Sequence, residues 1–416
     1  MKKSIFLAAL VLISAGCFAQ KANVSKARSL ADAETPDYAG ARTAIAEALQ
    51  NDETKDQANT WYIAGFIGYK EFYNGNLKRQ IGQHVDIPTW GAAVVESLNY
   101  WEKAYELALV PTYDKKGKAK YDTKTPKSIL PKVVDYFNFQ PLIEAGFNAY
   151  QNQDPSTAYE MFVAHCNIPE LKMMQDNPEE LAKLVRDTSY YTCIYYAGRF
   201  AYEANRYDDA IATLERMNTP EANANALRKE IIYANEYIYQ IYMELGDTAK
   251  AVASIKASID LFPEEPWFMQ NLINLYINSG QEDKAIEYLD LAIEREPNVG
   301  QYYNSKGSIL ARIGRFEESF KAFEQAIAIE PNNALFLETL GFAYVDLGNK
   351  LNDDAVYYDA NEYAKAKVEI DKAYHNALPY FEKAYELEPD NYDYKRSLRS
   401  LYYRLGMNDK YEALAD

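Results

Sequence analysis

Three histidines, three cysteines and an excess of carboxylates are the residues of this chain whose chemistry could go beyond packing. A metal site needs His, Cys and carboxylate ligands gathered at short spacing. His84, His165 and His375 sit far apart, with no cluster of acidic or cysteine partners to complete a ligand set, so each is expected to be structural or exposed. No phosphate-cradling glycine loop, nucleophile elbow or paired His-Glu helix motif occurs. Acidic pairs such as Glu317-Glu318 and Asp353-Asp354 fall at a helix start or in a loop, and a carboxylate at a helix start favours the positive end of the dipole. Neither catalysis nor a cofactor is expected.

The cysteines divide by position. Cys17 lies in the leader MKKSIFLAALVLISAGCFAQ, where Lys2 and Lys3 precede a short apolar run from Ile5 to Ala15. That pattern reads as an export signal over residues 1–19, cut after Ala19. Ser14-Ala15-Gly16-Cys17 offers the alternative of a lipoprotein box, with a lipid anchor at Cys17. The expected location is the periplasm, the outer membrane or the exterior. No later segment approaches the roughly 20 apolar residues of a membrane helix. An oxidising compartment would permit Cys166 and Cys193 to pair, the other reading being two buried thiols.

Composition narrows the partners. With 48% hydrophobic and 25% charged residues the chain is that of a folded protein. Its formal charge of −17 repels phosphate backbones, and its largest basic run, KKGKAK at Lys115–Lys120, is a solvated loop tip. Nucleic acid and anionic membrane are therefore poor candidates for partners.

The elements that must position any binding residue follow from a period. Gly246, Gly280, Gly314 and Gly348 are each 34 residues apart, and Pro263, Pro297 and Pro331 keep the same step. Such a period marks stacked helix pairs. In the stretch from Tyr302 to Pro331, Tyr303, Gly307 and Leu310 recur at helical spacing, and Gly314 supplies a left-handed stop. A second helix then buries Phe316, Phe320, Phe323 and Ile327 and ends before Pro331. Small residues at Gly307 and Ala326 let the two helices approach.

These units resemble tetratricopeptide repeats, with Leu272, Tyr276, Gly280, Ala285 and Pro297 marking one and Tyr242, Gly246, Ala251 and Pro263 the unit before it. The resemblance implies an all-α, right-handed α-solenoid of antiparallel helix pairs. The phrases YWEKAYEL from Tyr100 and YFEKAYEL from Tyr380 are both read as second helices of interrupted units. The interruptions fall at 71–91 and 349–372. Divergent units fill residues 20–188, marked by Leu142, Gly146, Ala158 and Phe162, with a loop or small hairpin at 111–127. A regular array runs from 189 to 416, where Gly198, Ala210 and Leu214 mark its first unit and residues 392–416 form a cap. This alignment puts Cys166 near the end of a second helix and Cys193 near the start of the next first helix.

In tetratricopeptide arrays the first helices line the concave surface, so the resemblance makes their non-core face the candidate for contact. Early units present Tyr62, Phe66 and Tyr69, then Ile143, Phe147 and Tyr150, then Tyr195, Arg199 and Tyr202, each spaced by four and three, which aligns one helical stripe. Later units offer Glu236, Gln240, Gln270, Asn274, Asn304, Ser308 and Arg312, a polar face. The implied function is a non-enzymatic scaffold of the cell envelope that binds a protein or peptide; the alternative is a carbohydrate-binding protein stacking sugars on the aromatic groove. Against both, the chain has 37 tyrosines, many of which must fill core, and the 71–91 insertion could fold over the early rings. The family's peptide-carboxylate clamp, a Lys and Asn pair on one first helix, is not reproduced.

Overall fold

The computed structural model describes residues 21–414. The expected export signal and the Cys17 anchor lie outside them. The chain forms two compact units, one ending at Ser254 and the other beginning at Ile255, so the 188/189 boundary falls inside the first. The fold is an all-α solenoid of antiparallel helix pairs, and no described helix is long and apolar enough to cross a membrane.

The first unit opens with helical residues 21–31 (α1), then α2 (Tyr38–Gln50), α3 (Ala58–Gln80) and α4 (Ile87–Ala108). Strands β1 (Thr112–Tyr113) and β2 (Ala119–Lys120) pair antiparallel, with Thr112 opposite Lys120. They lead into α5 (Lys124–Phe139), α6 (Pro141–Gln151) and α7 (Pro155–Asn167). Short helices α8 (Lys172–Gln175) and α9 (Pro178–Leu181) precede α10 (Thr188–Glu203) and α11 (Tyr207–Leu214); another short one, α12 (Pro220–Asn225), precedes α13 (Arg228–Glu244). The division between the units falls within α14 (Thr248–Leu261). The second unit continues with α15 (Pro266–Asn278), α16 (Glu282–Arg295), α17 (Gly300–Arg312), α18 (Phe316–Ile329), α19 (Ala334–Asp354), α20 (Ala360–Leu387), α21 (Tyr392–Arg404) and α22 (Asn408–Ala413).

Local chemistry sets the helix limits. Asp37, Asp86, Asp154 and Asp187 each accept a first-turn backbone N–H at the starts of α2, α4, α7 and α10. Gly280 and Gly314 stop α15 and α17 at φ 66 and 79°. The divergent pairs reach the same conformation without glycine, through Gln153 (φ 62°) after α6 and Asn205 (φ 58°) after α10. Gly348, although in phase, is no stop: α19 runs through it, and a Cβ there would stand 2.6 Å from the Tyr374 ring. Its role is close approach between α19 and α20.

In several pairs a glycine of the first helix receives a large residue of the second. A Cβ on Gly146 would lie 2.4 Å from Phe162, and one on Gly198 would lie 2.4 Å from Leu214. Phe162, Leu214 and Phe323 are essentially fully buried, each contributing about 2 kcal/mol of apolar transfer energy.

Both insertions lengthen helices instead of forming separate caps. Residues 71–91 extend α3 to 23 residues and α4 to 22, against 13 and 14 for α15 and α16. Residues 349–372 do the same for α19 (21 residues) and α20 (28 residues), joined by a short turn at Ala355–Tyr357. The first extension packs toward α6: Arg79 pairs with Glu144, and a Cβ on Gly91 would meet the Ala145 Cβ at 2.4 Å.

The pairing of Cys166 with Cys193 is not formed; both are free and buried. Burial pushes both thiols up, Cys193 to about 12.

Candidate partner-binding face

The three aromatic stripes do not form one groove. Tyr62, Phe66 and Tyr69 make a chain of rings along α3, with centroids 6.2 and 6.4 Å apart. They are covered mainly by other helices, with Tyr73 of residues 71–91 adding one ring stacked on Tyr69 at 6.0 Å. Helix α5 lies over them: Tyr136, fully buried, stands 6.3 Å from Tyr69 and 5.9 Å from Trp101, while Lys132 Nζ lies 5.3 Å from the Tyr69 centroid. From α1, Arg28 covers Phe66 at 5.7 Å. This stripe is therefore largely core, which removes it from the aromatic groove on which the carbohydrate alternative relied.

Farther along the first unit, Phe147, Tyr150, Tyr195, Arg199 and Tyr202 come together on α6 and α10. Phe147 is 40% exposed and meets Tyr196 edge-on at 5.9 Å. Tyr150 packs on Phe200 at 4.5 Å, and Arg199 Nη2 donates to the Tyr150 hydroxyl at 3.3 Å while its Nε donates to Glu203 at 2.8 Å.

The α10 stripe is matched residue for residue by one on α13. Thr192 donates to Glu230 at 2.9 Å; Tyr195 lies 6.4 Å from both Tyr233 and Tyr237; Tyr202 lies 5.2 Å from Tyr237 and donates to Glu244 at 2.6 Å. Thr192, Tyr195, Arg199 and Tyr202 thus face Glu230, Tyr233, Tyr237 and Glu244 along a common seam. Burial pushes the Tyr195 phenol up to about 12 and raises Glu230 and Tyr237; the bond to Glu244, with burial second, pushes Tyr202 up to about 12. At this seam Tyr195, Tyr233, Glu236, Tyr237 and Gln240 line an open cavity of about 260 Å³.

Tyr196, Tyr233 and Tyr237 are the residues that sequence reasoning missed; the four-residue step from Tyr233 to Tyr237 on a first helix was the signal for two of them. Glu236 and Gln240, read there as a plain polar face, line the same cavity. In the second unit Asn304 is not on a polar face: it is buried between α17 and α19, with its Oδ1 2.6 Å from the Thr339 hydroxyl.

The histidines are dispersed. His165 is buried against Phe137, with ring centroids 4.8 Å apart, and burial pushes it down to about 4; His84 and His375 are exposed. Among the described residues no three His, Cys, Asp or Glu side chains are grouped to hold a metal ion.

The stacked helix pairs are a repeat scaffold of a kind typical of protein-protein interaction. Residues 242–309 match the tetratricopeptide repeat family, and residues 307–348 match a second tetratricopeptide repeat family. Residues 242–348 therefore carry tetratricopeptide repeats. No curated protein matches the sequence. Among solved structures, similarity extends to a tetratricopeptide repeat protein from Bacteroides fragilis NCTC 9343, with 15% identity over 64% of this chain and 98% of that one and a TM-score of 0.32. MamA from Desulfovibrio magneticus RS-1 is 18% identical over 44% and 88%, with a TM-score of 0.32, and another MamA protein is 20% identical over 49% and 93%, with a TM-score of 0.33.

Proposed function

We propose that this protein is an exported, non-enzymatic scaffold that binds a peptide segment of another protein along the seam of α10 and α13. The supporting observation is the matched pair of stripes, in which aromatic rings stay partly open where neighbouring first helices meet. A tyrosine there offers a broad apolar face and a polar tip at low entropic cost, the combination that recurs at protein interfaces. Tyr233 keeps 45% of its surface exposed beside the more buried Tyr195.

Selection of a random peptide library against the full chain tests this. Bound peptides are expected to lose affinity by tenfold or more, about 1.4 kcal/mol, in Tyr202→Ala and Tyr237→Ala, with helical content unchanged. Peptides indifferent to both substitutions would place binding elsewhere. Export is checked by the intact mass of the mature chain, which should begin at Gln20 or at an acylated Cys17.

A further inference from the structure

Resting on that reading, we propose that the cavity walled by Tyr195, Tyr233 and Tyr237 receives a cationic side chain, the lysine or arginine of a basic peptide segment. A tyrosine ring carries negative potential on its faces, and a cation within about 6 Å of a centroid is attracted to it. Here Tyr195 stands 6.4 Å from each of the other two rings, so a group set among them is close to all three. The volume of about 260 Å³ is ample for one long side chain.

The carboxylates around the seam favour a cation, set against Arg199, whose charge bears on Tyr195 and Tyr237 from α10. Glu230 lies at one end of the seam, Glu203 and Glu244 lie at the other, and Glu236 lines the cavity itself. The protein's own chemistry supplies a precedent beside it: Arg199 sits 6.0 Å from the Tyr150 centroid and is held by Glu203. A net charge of −17 attracts cations to this surface and repels acidic segments. An aliphatic side chain would desolvate the tyrosine hydroxyls, Glu236 and Gln240 with less return.

Three peptides identical except at the centre, acetyl-Gly-Ser-X-Ser-Gly-amide with X as lysine, norleucine or glutamate, test this against the full chain by saturation-transfer NMR in 0.15 M salt. The lysine form should bind roughly three- to thirtyfold tighter than the norleucine form. Tyr233→Leu should erase that preference and Tyr233→Phe should keep it; Tyr233 is exposed enough that neither change endangers folding. Norleucine binding as well as lysine, or a lysine preference that survives both Tyr233→Leu and Tyr237→Leu, overturns the inference. If library peptides that depend on Tyr202 prove neutral or acidic, the inference fails while the proposed function stands. If no peptide binds this face, both fail.

Discussion

Tyr202 of α10 donates its hydroxyl proton to Oε1 of Glu244 on α13 at 2.6 Å, tying two successive first helices together. A bond to a carboxylate is stronger than one between neutral groups, but the tyrosine is only partly buried and solvent screens much of the gain. Tyr202→Phe should therefore cost about 1 kcal/mol or less in urea unfolding near pH 7. The phenol is raised in the folded state to about 12, so its contribution is intact below pH 10 and disappears as pH climbs through about 12. The wild type should lose more stability across that window than the variant. Parallel curves would show that the bond adds nothing.

Gly198 faces Leu214 so closely that any Cβ at 198 must displace the leucine. Gly198→Ala should destabilise the first unit by about 1–3 kcal/mol. Leu214→Ala, which opens a void at a fully buried site, should cost about 2–5 kcal/mol. Because each change relieves the other, the double variant should lose less than the sum of the two, as measured by a double-mutant cycle in urea. Simple additivity would mean that the helices move apart to accept the methyl group.

His165 is neutral at physiological pH because burial makes its charged form costly, pushing it down to about 4. The unfolded chain takes up the proton near pH 6.5, so stability from this group is complete above 6.5 and falls as pH drops from there to about 4, by roughly 3 kcal/mol in all. The Nδ1 atom is buried without a hydrogen-bond partner. His165→Phe should flatten the pH dependence between 7 and 5 and leave stability at pH 7 equal or higher. An unchanged slope in urea titrations at the two pH values would refute this.

Where an element depends on one residue type the sequence revealed it, and where several types serve equally it did not. Gly280 and Gly314 are legible because a left-handed stop favours glycine, whereas Asn205 and Gln153 take that conformation with no distinctive signal. Helix α5 went unread because it starts in Lys- and Gly-rich text and contains Pro131, although Ile129, Val133 and Tyr136 carry a helical period. The α10 stripe was visible from its spacing. On α13 the polar reading falls on Glu236, next to Tyr237, and on Gln240, one turn beyond it, because a helix face is wide enough for all three to share a cavity. Residue counting places interruptions at 71–91 and 349–372 but says nothing of their conformation; that these residues continue as helix depends on Trp90 stacking on Phe72 and Tyr374 closing over Gly348.

Those lengthened pairs carry a consequence for variation. At 1.5 Å per residue, the ten extra residues of α3 relative to α15 project its hairpin about 15 Å farther than a regular one. Because that projection also leans on α6 through Arg79 and Gly91, shortening it would withdraw a brace from its neighbour as well as reach.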